Sequence, residues 1–441
     1  MRAADSFKVH FSPSALKEIF LSEVSVKPTV GIDKVTVANF EEHLDENLNV
    51  ISRKVLNGTY RFTNYRQKLI AKGKNDYPRE INIPTIRDKL VLRALVKVLD
   101  DVYGDSCITP QPQPIVAALR ASRRSGKFSI YIKFDIHRFY GSIDHEIFKR
   151  IIRRRIRKKE LLALIEGAVS TASVIMGEKN RTKRSRGIPE GLPVSNRLAN
   201  IYAEDIDKRF KRDGISYFRY VDDIMVLCNI NDKNTVLKEL FTSIKRLNLE
   251  CNDEKCKTGN FLSDSFEYLG YRFEIDHVYP RVGSVRNLER WLESHMRSYK
   301  DDFLWKWRLN VRIAGCRTTE DGQTFKKFGW LFYFSQSDDV TGICKLDALV
   351  RKLADRYGVP LSSDVKTFKR SYYEIHYRSG NSRYIPLIDF TESEEKKRVI
   401  LSDLYGSDFV ERIDNESVDR LFRRKIGQEL KHMEQDVGLN Y

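Results

Sequence analysis

The sequence predicts an α+β fold, because short β-rich runs stand between long helical patterns and the last third is mostly helical. Residues 128–134 are rich in β-branched and aromatic residues, and residues 216–227 read as two strands joined by a turn. Residues 191–211 carry apolar side chains at helical spacing. No Pro- or Ser-rich linker and no internal repeat divides the 441 residues, so we expect tightly connected subdomains.

The other elements follow from the same patterns. Alternation of apolar and polar residues over 59–84 predicts a hairpin in which residues 65–71 pair with residues 79–83. The apolar residues of 87–103 recur at helical spacing, and residues 249–275 read as a short hairpin. Further helices are predicted over 12–58, 143–156 and 231–247.

Composition favours a polyanionic partner. Lys and Arg number 78 against 61 Asp and Glu, a formal net charge of +17, which suits nucleic acid or an anionic membrane surface. With 41% hydrophobic residues the chain can bury a core. It has no run of 18 apolar residues, and its six cysteines are sparse, as in a reducing cytosol. The N-terminal residues lack the apolar core of a secretory signal, so we expect a cytoplasmic protein without membrane contacts.

Three basic clusters narrow the partner to nucleic acid. Residues 150–159 hold seven basic side chains, a second cluster lies over 181–186, and a third, over 281–317, is interleaved with aromatic residues. Cations beside aromatic faces suit phosphate contacts and stacking. The alternative is a set of solvated helix faces, with the tryptophans in a helix core. The expected contacts to nucleic acid are Arg153, Arg154, Arg155, Arg184, Arg186, Trp305 and Trp307.

Three carboxylates mark the ends of apolar β-runs. Asp135 ends the first run, and Asp222 with Asp223 forms the turn of the second. A carboxylate beside a buried strand is costly unless a cation compensates it. If the two runs are neighbouring strands, three carboxylates converge, and hard oxygen ligands of this kind suit Mg²⁺, which takes few carboxylates and completes its shell with water and phosphate oxygens. Two such ions drive in-line displacement at phosphorus. The alternative interpretation is structural, because an isolated Asp-Asp turn is more often a capped hairpin.

At these positions the chain resembles reverse transcriptases. FDIHRFYGSI (134–143), GIPEGLPVSNRLANIYAEDID (187–207) and RYVDDIMVL (219–227) are similar to their motifs A, B and C. Flanking blocks at 31–34, 56–60, 78–89, 247–255 and 266–270 resemble other family blocks, in the family's order. The resemblance implies a right-hand polymerase fold. It divides the chain into an N-terminal helical extension (1–58), fingers and palm (59–275, with the catalytic motifs in 128–227) and a mostly helical thumb with the C-terminal region (276–441).

The resemblance also implies roles for single residues. Asp135, Asp222 and Asp223 would bind two Mg²⁺ ions, with Mn²⁺ as an alternative, and Ile136 would offer its backbone carbonyl. The implied dNTP-binding residues are Arg79, Lys72, Lys74, Tyr140, Glu190, Gly191 and Lys255.

Within that set the resemblance gives several residues distinct tasks. Arg79 would hold the triphosphate, and Tyr140 would exclude a 2′-hydroxyl, the alternative being a core aromatic. Gly191 would let the backbone approach the base pair. Lys255 would protonate pyrophosphate, or is an ordinary surface lysine. Glu190 departs from the family, which most often has Gln there, and this bears on base selectivity and template use.

Within the family, the chain most resembles the bacterial unknown-group and defence-associated (antiphage) enzymes, which are related to retron and group II intron reverse transcriptases. Residues 305–316 and 326–336 carry this resemblance. Asn196 stands where intron enzymes usually carry Pro, and no His/Cys nuclease-like cluster follows residue 300. Membership implies cDNA synthesis from dNTPs on an RNA template, with a non-coding RNA and a second reverse transcriptase or a second copy as partners. The alternatives are a retron-type enzyme making RNA-linked single-stranded DNA, untemplated or protein-guided synthesis, and a polymerase-derived RNA-binding protein without chemistry.

Overall fold

The computed structural model describes residues 1–26, 29–71, 78–176, 182–252, 254–320, 324–378 and 382–433. The chain forms two compact units. The first unit combines Met1–Pro110 with Lys127–Phe261, and the second combines Gln111–Gly126 with Leu262–Tyr441. The domain limits predicted at residues 58 and 275 stay predictions, and the compact units divide the chain elsewhere.

The α-helices in chain order are α1 (Ala3–His10), α2 (Pro13–Ile19), α3 (Val37–Glu41), α4 (Leu44–Leu56), α5 (Ile86–Tyr103), α6 (Pro112–Ser125), α7 (Phe139–Ser142), α8 (His145–Arg153), α9 (Lys159–Ser170), α10 (Ser195–Phe210), α11 (Lys233–Arg246), α12 (Val282–Arg297), α13 (Phe303–Ala314), α14 (Trp330–Tyr333), α15 (Val340–Tyr357), α16 (Phe368–Tyr377), α17 (Glu394–Tyr405), α18 (Ser407–Glu411) and α19 (Asn415–Met433).

The strands are β1 (Tyr65–Ile70), β2 (Arg79–Ile83), β3 (Ile130–Asp135), β4 (Ser173–Val174), β5 (Ser216–Tyr220), β6 (Asp223–Cys228), β7 (Lys257–Asn260), β8 (Phe266–Tyr268), β9 (Tyr271–Phe273), β10 (Val278–Pro280), β11 (Cys316–Thr319), β12 (Lys326–Phe328) and β13 (Leu387–Asp389). They form four sheets of three or four strands each.

A four-stranded antiparallel sheet, in the order β5-β6-β3-β7, is the centre of the first unit. Ile132 and Phe134 of β3 and Val226 of β6 belong to one core cluster with apolar residues of α8, α10 and α11. Phe134 packs edge-on against Phe241 of α11, with ring centroids 5.4 Å apart. Because side chains alternate along a strand, the odd-numbered residues of β3 and β6 face away from these helices.

A second sheet of the first unit confirms the predicted hairpin. Strands β1 and β2 pair antiparallel with Arg66 opposite Ile83, and β4 adds to β1 in parallel. The expected helices over 87–103 and 191–211 are confirmed as α5 and α10, the latter beginning four residues later than predicted. The short hairpin expected over 249–275 is confirmed for β8 and β9, which pair antiparallel with Phe266 opposite Phe273. Strand β7, in the same range, instead pairs with β3.

The second unit combines two three-stranded sheets with helices α6 and α12–α19. One of its cores gathers residues of α13, β11, β13 and α17–α19 around Phe422 and Leu401. The mixture of helices and mainly antiparallel sheets confirms the predicted α+β class. Within the described ranges, none of the helices is long and apolar enough to cross a membrane.

Candidate active site

The central sheet brings the three predicted carboxylates together. Asp135, the last residue of β3, lies opposite Asp223, the first residue of β6. The Ile136 amide donates to the Asp222 carbonyl oxygen at 3.1 Å, which fixes the β5–β6 turn against the end of β3. Odd-numbered residues of these strands face away from the helices, so Asp135 and Asp223 share the face of the sheet opposite the helices.

The turn that carries Asp222 has a strained backbone. Val221 is buried at 2% exposure and has φ +58°, in the left-handed region. A β-branched residue rarely adopts this conformation, and such residues cluster at functional sites because they cost about 1–3 kcal/mol. Tight pairing of Tyr220 with Asp223 on either side holds the two-residue turn in place. The turn that carries Asp222 is therefore formed at a cost in the stability of the fold.

Electrostatic repulsion among the carboxylates makes them a candidate cation site. Burial and the negative charges of Asp223 and Asp135 together raise the pKa of Asp222 to about 7, while Lys255 opposes the shift. Among the described residues, no three His, Cys, Asp or Glu side chains close a metal site by themselves. Mg²⁺ needs only one or two carboxylates when water and substrate phosphates complete its shell, so this donor set fits that ion.

Two lysines lie beside the carboxylates. Lys255 Nζ is 3.4 Å from Asp135 Oδ2, and Lys133 Nζ is 4.0 Å from Asp223 Oδ1. The Lys255 side chain is 62% exposed, so it can exchange Asp135 for another anion. Lys133 was missed by sequence reasoning, although its place two residues before Asp135 on the same strand face was a usable signal.

The loop that carries Lys255 is held against the end of β3. The Asn252 amide donates to the Asp135 carbonyl oxygen at 2.9 Å, and Cys251 forms an isolated β-bridge with Ile136. A disulfide joins Cys251 and Cys256 on the two sides of Lys255. This pairing differs from the reduced cysteines expected from the composition. The two cysteines are five residues apart, so they do not form a CxxC motif.

Tyr140 lies next to the carboxylates at the start of α7. Its ring is buried at 9% exposure, and its hydroxyl donates to Asn196 Oδ1 at 2.5 Å. Burial raises the pKa of Tyr140, and the charges of Asp222 and Glu190 add to the increase. Asn196 had been noted only as a departure from intron enzymes, and its hydrogen bond to Tyr140 is visible only in the tertiary structure.

Arg79 and Glu190 meet across the predicted nucleotide pocket. Arg79 Nε donates to Glu190 Oε2 at 2.6 Å, and both side chains are partly buried. The Asn82 amide and its side-chain nitrogen both donate to the Glu190 carbonyl oxygen, at 2.8 and 3.0 Å. These bonds dock the loop that precedes α10 onto β2.

Gly191 permits this close approach. Its φ is +90°, and a Cβ atom there would lie 2.8 Å from Ile81 Cγ2 and 3.3 Å from backbone atoms of Asn82. The carboxylates therefore form one group with four of the predicted nucleotide-binding residues, Arg79, Tyr140, Glu190 and Gly191. Lys72 and Lys74 lie outside the described residues, so their predicted roles stay predictions.

The arginines expected to contact nucleic acid make protein contacts. Arg153 pairs with Glu166 at 3.5 Å, Arg154 with Asp205 at 2.7 Å and Arg155 with Glu204 at 2.7 Å. Arg184 binds the Glu80 carboxylate and, at 2.6 Å, Ser173 Oγ. Arg186 donates to the carbonyl oxygens of Ser142 and Asn248. Their contact with nucleic acid stays a prediction.

The two tryptophans lie in the packed part of the second unit. Trp305 is 6% exposed, stacks on His295 and donates its indole N–H to the His295 carbonyl oxygen at 3.0 Å. Trp305 is therefore a core residue, which was the alternative to a nucleic-acid contact. Its ring has no open face on which a base could stack. Trp307 is partly buried against the core around Phe422, and its contact with nucleic acid stays a prediction.

Comparisons with known proteins give a family match and several relatives. Residues 70–273 match the model of the reverse transcriptase (RNA-dependent DNA polymerase) family. Protein YkfC of Escherichia coli K12 is 21% identical over 337 residues, which are 65% of this chain and 86% of YkfC. The group II intron-encoded protein LtrA of Lactococcus lactis subsp. cremoris is 27% identical over 186 residues, 41% of this chain and 30% of LtrA.

Solved structures of telomerases are also similar. The telomerase of Candida albicans, in complex with a fragment of telomeric RNA, is 11% identical with a TM-score of 0.43, over 91% of this chain and 66% of that one. The Candida tropicalis telomerase, likewise with a telomeric RNA fragment, is 13% identical with a TM-score of 0.43, over 92% and 66%. The family match and the intron-encoded relative show that the chain contains a reverse transcriptase domain.

Proposed function

We propose that this protein, with its reverse transcriptase domain over residues 70–273, is an active RNA-directed DNA polymerase that makes cDNA from dNTPs by a two-metal mechanism. The observation that carries the proposal is the register of β3 against β6, which sets Asp135 opposite Asp223 beside the strained Asp222 turn. Concentrated negative charge of this kind is costly in a protein that does not use it.

Asp135, Asp222 and Asp223 would hold two Mg²⁺ ions, or Mn²⁺, with the Ile136 carbonyl as a further ligand. When bound, the ions supply the positive charge that activates the primer hydroxyl and stabilises the charge developing on the phosphates. The raised pKa of Asp222 supports this assignment, because a cation would restore the carboxylate that burial and its neighbours disfavour.

The remaining side chains would bind and select the nucleotide. Arg79, released from Glu190, would bind the triphosphate through its guanidinium. The Tyr140 ring, held by Asn196, would lie under the sugar and exclude a 2′-hydroxyl. Lys255, exposed and 3.4 Å from Asp135, would give a proton to the departing pyrophosphate.

For the biological role, we propose antiphage defence with a non-coding RNA as template or partner. The resemblance of residues 305–316 and 326–336 to defence-associated enzymes supports this, and the net charge of +17 supports an RNA partner. A retron-type enzyme making RNA-linked DNA is the second candidate. The carboxylate of Glu190, close to Tyr140, favours a third, in which protein side chains guide base choice.

The test compares wild type with Asp222→Asn/Asp223→Asn in the host, followed by purification and sequencing of the bound nucleic acid. We expect bound RNA with both proteins, but cDNA copied from that RNA and protection from phage with wild type only. Exposed Asp213→Asn is the matched control and should behave as wild type. Protection that persists in the double variant would overturn the catalytic role and favour an RNA-binding protein. DNA without a matching RNA would overturn RNA-templated synthesis.

A further inference from the structure

A basic cavity lies between three helices of the first unit, away from the carboxylates. It has a volume of about 570 Å³ and is lined by the C-terminal parts of α8 and α10 and by the end of α11. These helices pack on the face of the central sheet that carries Ile132, Phe134 and Val226. Asp135 and Asp223 belong to the opposite face, so the cavity and the candidate active site are separated by the sheet.

The cavity has an apolar floor and a cationic rim. Ile151, Ile206 and Leu247 on its floor are each at most 5% exposed. The rim carries five basic side chains and a single carboxylate, Asp205, which is already paired with Arg154 at 2.7 Å. A volume of this size is typical of ligand sites, and an apolar floor below cations suits a sugar and base with its phosphates.

Three of the rim cations have no ion pair to satisfy them. Within the described ranges, Arg150, Arg209 and Arg246 make neither a hydrogen bond nor an ion pair through their side chains, and all three are exposed. Each lies in the last turn of its helix, where the helix dipole favours a cation. That effect accounts for one arginine at each helix end. It gives no reason for the three ends to surround one cavity, where like charges repel one another.

We propose that this cavity is a second nucleic-acid site that holds the phosphates of an RNA strand on the rear face of the polymerase sheet. A neighbouring cavity of about 680 Å³ begins at the adjacent α11 residues Ile244 and Lys245 and extends to Arg186. Both cavities border the C-terminal end of α11, and together they offer more room than one free nucleotide needs, which favours a strand as the ligand. The proposal rests on the proposed function in that both require RNA.

The test neutralises the three arginines in the full-length protein as Arg150→Gln/Arg209→Gln/Arg246→Gln. Binding of a fluorescein-labelled single-stranded RNA is measured by anisotropy across a salt series, with excess unlabelled template–primer duplex present to fill the polymerase site. We expect the affinity to fall about tenfold or more and the slope of log affinity against log salt to fall by about 2, as for the loss of three phosphate contacts. The control, Lys8→Gln/Arg53→Gln/Lys54→Gln, removes the same charge from exposed helix positions and should leave both values unchanged.

Primer extension on the short duplex separates this site from the active site. The arginine variant should extend the primer at the wild-type rate, whereas Asp222→Asn/Asp223→Asn should lose extension but keep the salt-dependent RNA binding. An arginine variant that binds RNA as tightly as the control would overturn the proposal. So would loss of fluorescent ATP binding with unchanged RNA affinity, because the cavity would then hold a free nucleotide.

Discussion

Arg79 Nε lies 2.6 Å from a carboxylate oxygen of Glu190, a residue 111 positions further along the chain. The arginine proposed to hold the triphosphate is therefore already neutralised by the residue that stands where related enzymes most often carry Gln. An incoming nucleotide must compete with this carboxylate for the guanidinium, so the ion pair sets part of the cost of nucleotide binding.

Replacing Glu190 with Gln should lower the KM for dNTPs. The amide keeps the shape of the side chain but no longer competes by charge, and a partly buried pair of this kind is worth about 1 kcal/mol, or about fivefold in KM. Steady-state primer extension measures the change. Glu80→Gln is the control, because Glu80 lies on the same strand as Arg79 but forms its ion pair with Arg184. A KM that rises would mean that Glu190 instead holds Arg79 in its binding position.

Asp222→Asn should stabilise the metal-free protein at alkaline pH while abolishing synthesis. The folded-state pKa of about 7 exceeds the ordinary value of 3.8, so the folded protein binds the proton more tightly than the unfolded chain. This contribution to stability is complete below about pH 4 and is lost as pH rises to about 7. At pH 8 the variant should gain on the order of 2 kcal/mol in free energy of unfolding.

Denaturant unfolding in chelator at several pH values measures this gain, with exposed Asp213→Asn as the control. The wild type should lose stability between pH 4 and pH 7 relative to Asp222→Asn, and added Mg²⁺ should recover part of the loss. Parallel pH profiles for the two proteins would show that the Asp222 carboxyl carries no unfavourable charge.

Tyr140→Val should admit ribonucleotides. The buried ring is proposed to select by bulk, so removing it should reduce the dNTP-over-rNTP ratio of kcat/KM by about tenfold to a hundredfold. Tyr140→Phe loses only the hydroxyl that donates to Asn196 and should keep the selectivity. Competitive incorporation assays give the ratio directly. Equal discrimination by the Val variant would leave Tyr140 as a core aromatic.

Gly191→Ala should destabilise the protein more than Gly214→Ala. Both glycines have positive φ, +90° and +84°, so an alanine costs about 1 kcal/mol at either position. Only at Gly191 would the new Cβ meet a neighbour, Ile81 Cγ2 at 2.8 Å, which adds about 1–3 kcal/mol of overpacking. Thermal unfolding compares the two variants. Equal losses of stability would show that the loop can move away from β2.

Local patterns were sufficient for much of the fold. The predictable elements were the hairpin of β1 and β2, helices α5 and α10, the strand that ends at Asp135 and the strand that begins at Asp223. Alternation of apolar and polar residues and helical spacing reflect which side of each element is buried. The family motifs pointed to the same carboxylates. Strand β7 shows the limit of local patterns, since it is short and its partner β3 lies more than a hundred residues earlier, outside the β8–β9 hairpin of the same range.

The sequence by itself determined the elements, the charge and the carboxylate positions of this protein, because these depend on neighbouring residues. Only the tertiary structure decided that Asp223 faces Asp135, that Arg79 is bound to Glu190 and that Trp305 is core. The same holds for the three arginines around the rear cavity. Such relationships join distant segments through packing and strand register, and no local pattern carries that information.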